Sequence, residues 1–471
     1  MSNGTLVGEQ KKKFTAPSSM VILFCLIIVV TIMTHVLPAG NFGKIPHPVT
    51  GKDMVDAATF NWTAQSPVGP FDMFVCMAKG FIDGSMIAFL IMLGYFWVFS
   101  IVEAGAFGAG INALLHSRFK DSKLFIPAAI FIFAIAGSTY GEMETVYGLI
   151  PIFVAFAIAL GYDAIVGVSM SYLAVVVGFA SATTNPFTIG IAQSFAELPI
   201  FSGLALRWCV FAVMTSVVTV FIMRYAGMVK ADPTKSLVHG MDFSAFNFAQ
   251  NAEGTEFTGK HKLLISSMVV TIGFIVVGSL RWGWYINEMS AVFFISGIVI
   301  QLIDRRTPNQ IMRSLVTALG EMGNAIIVMS LARAIMVVMR SGNIIDTVVY
   351  GLYQPMKDAP HWLVAQMMLV AQNIINFFIP SGSGQATAIM PIMTPLADLA
   401  GVNRQVAVLA FQFGDGYSNA LWPTCSCAIM CGIARIPLGT WYKYFLKLFA
   451  IMFVIQMIFI GIATAINYGP F

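Results

Sequence analysis

One stretch limits the folds open to this chain: Phe378-Ile-Pro-Ser-Gly-Ser-Gly-Gln-Ala-Thr-Ala-Ile-Met-Pro391. Apolar, helix-like sequence runs into it from Trp362 and out of it to Leu399. Two glycines, two serines and a glutamine sit in the middle. Each arm is about 13 to 18 residues, or roughly 20 to 27 Å at 1.5 Å per residue. That falls short of the roughly 30 Å of hydrocarbon in a bilayer. The stretch therefore reads as a hairpin that dips into a membrane and returns, with polar groups at its tip. Freed backbone survives at such a depth only under cover of protein or of a water-filled cavity.

The rest of the chain agrees with a membrane setting. Of its 471 residues, 58% are hydrophobic and 10% charged, and mean hydropathy is +0.81. A soluble chain carries about 25% charge. Apolar runs of 18 or more residues point to helices rather than to a barrel. The net charge of +4 belongs to cytoplasmic loops, so no nucleic-acid partner is expected. No cleavable signal peptide is expected either, because the run from Ser19 to Pro38 is too long and no small-residue cleavage site follows. Cys425, Cys427 and Cys431 cluster without CxxC spacing or a histidine, which favours buried thiols over a metal site.

Loop charge orders the spans by the positive-inside rule. Lys11-Lys12-Lys13 place the N-terminus inside. Spans are expected at Ser19 to Pro38, with 39–72 an external loop, and at Asp83 to Gly108. A basic loop (His116, Arg118, Lys120, Lys123) follows. A hairpin from Leu124 to Leu160 is broken at Gly137-Ser-Thr-Tyr-Gly-Glu142-Met-Glu144. The run from Ala164 is broken at Gly178-Phe-Ala-Ser-Ala-Thr-Thr-Asn-Pro186, and Gly203 to Met228 returns to the cytoplasm. Residues 229–262 form a cytoplasmic linker. Further spans are expected at Leu263 to Leu280, Asn287 to Ile303 and Ser314 to Val338, with 340–361 external. After the 362–399 hairpin, Val406 to Arg435 is broken at Phe413-Gly-Asp-Gly-Tyr-Ser-Asn-Ala-Leu-Trp-Pro423. Tyr442 to Ala465 ends the count at nine full spans and two hairpins, with the C-terminus outside.

The fold expected is an all-α polytopic membrane protein. The order span, span, broken hairpin, broken span, span occurs twice, at about 19–228 and 287–466. The extra span at 263–280 inverts the second copy. The organisation is thus a first repeat (1–228), a cytoplasmic linker (229–262), then a connecting helix with the second inverted repeat (263–471). Paired interruptions in matching halves point to a transporter site near the midplane. Unwound carbonyls suit a cation there, and half-helix N-termini suit an anionic group. Glycine at the breaks is expected to supply positive φ and close ligand approach.

Acids within apolar segments are costly and functional by default. Glu142, Glu144 and Asp415 are therefore read as partners of Na+ or H+, or of a substrate amino group. The alternative is an acid at a hairpin tip that reaches the interface. Ser138, Thr139, Ser181, Thr184, Asn185, Ser381, Ser383, Gln385, Ser418, Asn419 and Thr424 are the hydrogen-bonding candidates, against a packing role for small residues between helices. Asn373 and Asn376 cap the second hairpin or line its site. Arg333 and Arg340 read as snorkelling to the interface, and Trp282, Trp284 and Tyr285 as an aromatic belt. With no arginine or lysine assigned beside the breaks, an amino-acid-like substrate is favoured over a doubly anionic one.

At several of these residues the chain resembles the YfcC-type family, relatives of the anaerobic C4-dicarboxylate carriers in the ion-transporter superfamily. The strongest match is Ser381-Gly-Ser-Gly-Gln385 through Pro391, with Gly401-Val-Asn-Arg-Gln405 and Phe411-Gln-Phe-Gly-Asp-Gly-Tyr417 up to Pro423-Thr424. Gly141-Glu142, Gly178-Phe-Ala-Ser181, Asn185-Pro-Phe187 and Leu124-Phe-Ile-Pro127 match more weakly. The resemblance implies a bacterial inner-membrane secondary carrier of elevator type: a homodimer with a scaffold and a moving transport domain. Its members resemble carriers of dicarboxylates, arginine/ornithine exchangers and peptide-type carriers. The expectation is a cation-coupled symporter or exchanger of a small carboxylate-bearing metabolite, foremost an amino acid, with C4-dicarboxylates as the alternative and no cofactor beyond Na+ or H+. A channel is the distant alternative. HExxH, GxSxG and GxxxxGK[ST] patterns are absent from the sequence, against an enzyme or an ATP-driven pump.

Overall fold

Ser18 starts the first helix by accepting a hydrogen bond from the Val21 amide, the common role of a short hydroxyl at a helix start. The computed structural model describes residues 18–46, 53–115, 124–141, 143–246, 257–357 and 359–469. Lys11 to Lys13, the basic run from His116 to Lys123, the middle of the linker and Glu142 lie outside the described residues.

Helix α1 (Ser19–Val36) leads to an antiparallel hairpin, β1 (Gly40–Pro46) and β2 (Asp53–Trp62). Then come α2 (Pro70–Asp83), α3 (Ser85–Glu103) and α4 (Ala106–Leu115). A helical hairpin follows, α5 (Phe125–Thr139) and α6 (Val146–Ala159). Helix α7 (Ala164–Val168) passes through a π-turn (Ser169–Leu173) into α8 (Ala174–Ala180). A second π-turn (Pro186–Gly190) opens α9 (Ile191–Phe195), and α10 (Leu204–Ala231) ends this half. Helix α11 (Gly259–Trp282) stands between the halves. The second half runs α12 (Ile286–Ile303), α13 (Pro308–Glu321), α14 (Gly323–Ser341), α15 (Ile345–Tyr353), α16 (His361–Phe378), α17 (Gly382–Leu399), α18 (Arg404–Ser418), α19 (Ser426–Ala434) and α20 (Leu438–Ala465).

The protein is mostly helical. Among the described residues, 7 helices are long and apolar enough to cross a membrane: α1, α3, α10, α11, α12, α14 and α20. The two broken spans counted as full crossings are pairs of shorter helices. The expected span at Asp83 to Gly108 is instead α3, preceded by the separate α2 and followed by α4. The expected span at Ser314 to Val338 is α13 followed by α14. The 39–72 and 340–361 loops hold structure as well, the β-hairpin and the start of α2 in one and α15 in the other. These errors share a cause. Helices α2 and α13 are amphipathic, so their polar residues read as loop beside the uniformly apolar helices they adjoin.

Several helix lengths agree between the two halves of the chain. Helices α2 and α13 have 14 residues each, α3 and α14 have 19, and α10 and α20 have 28. Left-handed residues close the matched helices, Gly105 and Asn343 after α3 and α14, and Glu197 and Arg435 after α9 and α19.

Packing sorts the helices into two groups. In one, α3 lies on α12 and α13, and α14 lies on α1 and α2. In the other, α5 lies on α8, α16 on α18, and α8 on α18. The groups meet where α6 packs on α3 and α19 on α14. Glycines allow the tight crossings. A Cβ on Gly178 would stand 1.9 Å from the Ala134 carbonyl oxygen, and one on Gly416 would stand 2.4 Å from the Ala180 Cα. Gly137, Gly178, Gly414, Gly382 and Gly384 therefore do not serve as the expected positive-φ residues. Of the glycines at the breaks, Gly141 alone has positive φ, at 73°. Gly137, Gly178, Gly414 and Gly416 are small because helices cross there.

Candidate functional site

The second hairpin turns at Ile379-Pro380-Ser381. Helix α17 then starts at Gly382, with the Ser381 hydroxyl accepting from the Gly384 amide at 3.3 Å. Its first amides carry the positive end of the helix dipole. The first hairpin turns between Thr139 and Val146, so the break lies later than Gly137-Ser138, which are helical. Likewise α8 continues through Gly178 to Ala180, and α18 continues through Asp415 to Ser418.

Both hairpin turns open on one cavity of about 340 Å³. Gly141, Met143 and Glu144 come from the first turn, and Ile379 to Gly384 from the second. Phe179, Phe187, Thr188 and Asn419 come from the broken spans. The opposite wall is Asp83, Met86, Ile87, Tyr285, Ile286, Arg333, Met336 and Arg340. A narrower extension of about 40 Å³ runs past Glu144 and Arg333 to Tyr147, Thr424, Cys425 and Ser426.

Charge converges on this cavity. Arg333 Nη1 stands 3.6 Å from Asp83 Oδ2, and Arg340 Nη1 stands 3.8 Å from Asp83 Oδ1. The snorkelling role expected for Arg333 is thereby corrected, since it lines the cavity, mostly buried, and pairs with Asp83; Arg340 also lines the cavity but keeps its side chain 64% exposed. The argument against an anionic substrate loses its ground with it. Asp83 comes this close because α2 crosses α14 at glycine: a Cβ on Gly80 would stand 2.6 Å from the Ala334 nitrogen. Tyr285 also lines the cavity, whereas Trp282 and Trp284 pack on Phe274. Asp83, Arg333, Arg340 and Tyr285 were thus missed as site residues. For Arg333 a signal existed, a charge near the middle of an apolar 19-residue helix.

The expected site residues separate into layers. Glu144, Ser381, Ser383 and Asn419 face the main cavity, and Thr424 faces its extension. Behind them, polar bonds stitch the breaks. Ser138 Oγ lies 3.1 Å from Thr183 Oγ1, Thr184 Oγ1 donates to the Thr139 carbonyl at 3.1 Å, and Ser181 Oγ meets Tyr417 Oη at 2.5 Å. Thr139 Oγ1 donates within its own helix to Ile135. Asn185 Oδ1 caps the second π-turn by accepting from the Phe187 amide at 2.9 Å. Asn376 Nδ2 donates to the Asp415 carbonyl at 2.7 Å, Ser418 Oγ at 2.7 Å and Asn419 Oδ1 at 3.2 Å. Gln385 Nε2 donates to Gln372 Oε1 at 2.6 Å, and Asn373 Nδ2 to the Leu369 carbonyl.

Asp415 differs from all of these. It is fully buried, and neither carboxylate oxygen has a hydrogen-bond partner. Its Oδ2 lies at the start of α17, 3.1 Å from where a Gly382 Cβ would be. Asn373 Oδ1, Asn376 Oδ1, Gln385 Oε1, Gln412 Oε1 and Thr188 Oγ1 are likewise buried without partners. Unpartnered buried oxygens thus gather around the second hairpin. Burying unpaired oxygens costs free energy, and a bound cation or proton would offset that cost. Cys425, Cys427 and Cys431 are free thiols.

Among the described residues, seven apolar helices, with interrupted segments meeting at a polar cavity, define the class, a multi-pass helical membrane protein. Over residues 16–465 the chain matches the family described as DcuC, the C4-dicarboxylate anaerobic carrier. It belongs to that family, and is accordingly a transporter rather than an enzyme. It is 29% identical to the "Putative basic amino acid antiporter YfcC" of Escherichia coli (strain K12), across 98% of this chain and 99% of that one. It is 26% identical to an uncharacterized protein of Haemophilus influenzae, again across 98% and 99%. Among solved structures, the YdaH transporter of Alcanivorax borkumensis is 16% identical with a TM-score of 0.43, covering 96% of this chain and 99% of that one. MtrF of Neisseria gonorrhoeae is 18% identical with a TM-score of 0.42, covering 96% of each.

Proposed function

We propose that the protein is a secondary active transporter that moves a small carboxylate-bearing metabolite, foremost an amino acid, across the bacterial inner membrane. One observation carries this reading: a cavity between the two hairpin turns presents both signs of charge. The α17 amides and Arg333 suit a carboxylate, and Glu144 and Asp83 suit an ammonium group. That pattern complements a zwitterion, and the similarity to a protein named as a basic amino acid antiporter agrees with it.

Asp415 and the unpartnered oxygens around it hold the coupling ion, Na+ or H+. The two halves form an inverted repeat, and transport proceeds by alternating access of elevator type. Helices α5–α10 and α16–α20 move as the transport group against α1–α4 and α11–α15. In a membrane this assembles as a homodimer.

A second reading rests on the two arginines at the cavity. Arg333 and Arg340 together suit a C4-dicarboxylate, the substrate in the family's description. A thermal-shift panel on the purified protein separates the two. Basic and neutral amino acids raise the unfolding midpoint under the first reading, and C4-dicarboxylates alone under the second. Repeating the panel with and without Na+ tests the coupling ion. A panel in which no carboxylate-bearing compound shifts the midpoint would count against both.

A further inference from the structure

We infer that Tyr95 and Glu321 are a second substrate-facing pair, taking the place of Arg333 and Asp83 when the site faces the opposite side of the membrane. The inference rests on the alternating-access reading and assigns residues to its unseen half.

The register between the halves carries the argument. One constant spacing in sequence relates Pro70 to Pro308 and Asp83 to Glu321. The same spacing relates the first residues of α3 and α14, and Gly105 to Asn343, both left-handed at 74° and 51°. It also relates Glu197 to Arg435, both at 55°. In this register Tyr95 occupies in α3 the position that Arg333 occupies in α14. The contacts correspond as well. Arg333 reaches the acid that ends α2, at 3.6 Å. Tyr95 Oη donates to the acid that ends α13, Glu321 Oε2, at 2.6 Å.

The two pairs differ in what covers them. Arg333 and Asp83 line the open cavity. Tyr95 is 4% exposed and lies under the transport group. Next to it, a Cβ on Gly94 would stand 3.3 Å from the Gly148 Cα of α6. Beside Glu321, Asn324 Nδ2 donates to the Gly432 carbonyl of α19 at 3.3 Å. One pair is open while its counterpart is sealed, as a carrier with one accessible side requires. Movement of the transport group that lifts α6 and α19 from this seam bares Tyr95 and Glu321.

The exchange is chemically unequal. On one side the substrate carboxylate meets a guanidinium, which donates charge-assisted bonds. On the other it meets a phenol beside a second carboxylate. Affinity for the carboxylate falls on the Tyr95 side, and release there is favoured. Replacing a charge-assisted bond by a neutral one is worth about tenfold.

The test measures KM from each face of oriented proteoliposomes, with amino acids and C4-dicarboxylates as probes. Tyr95→Arg lowers KM about tenfold from one face and slows turnover, while Arg333→Gln raises KM chiefly from the other. Tyr95→Cys in a background without native thiols provides a check independent of affinity. A membrane-permeant maleimide modifies it during turnover, and modification slows when the transport group is held in the present arrangement by a crosslink between α14 and α19. Equal KM changes from both faces, or a thiol at 95 that is never modified during turnover, would overturn the inference. Flux absent from the wild type for every probe would instead overturn the substrate reading beneath it.

Discussion

The carboxylate of Asp415 lies against the first residue of α17: a Cβ built on Gly382 would stand 3.1 Å from Oδ2. The side chain is fully buried and makes no hydrogen bond of its own. On the proposed coupling role, neutralising this carboxylate is expected to affect how the start of α17 seats.

Asp415→Asn is expected to preserve folding and substrate binding while removing the response to an imposed ion gradient. Gradient-driven uptake falls by roughly tenfold or more, as removal of a buried charge with a bound partner implies, and exchange between equal ion concentrations persists. Uptake rates under imposed Na+ and H+ gradients check this. An unchanged gradient response would exclude Asp415 as the coupling residue.

Arg333 and Glu144 are expected to divide the substrate between them. Arg333→Gln weakens binding of every carboxylate-bearing ligand by about tenfold. Glu144→Gln weakens amino acids by a similar factor and leaves dicarboxylates little changed. Titration calorimetry on the two variants, with one ligand of each kind, checks the assignment. Equal loss for both ligand kinds in Glu144→Gln would contradict it.

Gly178→Ala is expected to destabilise the protein by about 1–3 kcal/mol or more, because the new Cβ would press on the Ala134 carbonyl oxygen from 1.9 Å. Gly227→Ala is the control. It lies inside α10 with nothing within 4 Å of its new Cβ, and alanine there stabilises by roughly 0.5–1 kcal/mol. Thermal unfolding in detergent distinguishes the two, and equal midpoints would contradict the packing account.

A cluster at the end of α12 should give stability a pH dependence. Asp304 accepts from Lys260 and, at 2.8 Å, from Arg306 Nε, and Arg306 Nη1 lies 3.6 Å from Glu103 Oε1. Burial pushes the Asp304 carboxyl up, but the bonds from Lys260 and Arg306 together outweigh it and hold it below the usual range. The folded value is thus lower than the unfolded one, about 3.9. The contribution is present above that pH and is lost as pH falls through the folded value. Unfolding midpoints of wild type and Asp304→Asn are expected to differ near neutrality and to converge below about pH 3.9. A constant gap would contradict the pairing.

The sequence revealed the membrane class and the two helical hairpins, because apolar length and glycine-serine interruptions are local signals. The α17 start at Ser381 and the Asn376 contacts with the second broken span lay within reach of that reading. Other features depended on distance in space. Asp83 sits in an amphipathic helix that resembles loop sequence, and its meeting with Arg333 arises from helices 250 residues apart in the chain. Glycines at the crossings were read as break residues because composition does not distinguish a close helix contact from a left-handed turn. The first hairpin turn shows the reverse, since Gly141 does take positive φ.

Uptake into proteoliposomes tests the central claim most directly, with labelled amino acid outside and imposed gradients or unlabelled counter-substrate inside. The account predicts saturable accumulation that the gradient or counter-substrate drives, reduced roughly tenfold or more by Arg333→Gln or Glu144→Gln. Flux linear in concentration, indifferent to gradient and counter-substrate and unaltered by either substitution would contradict it.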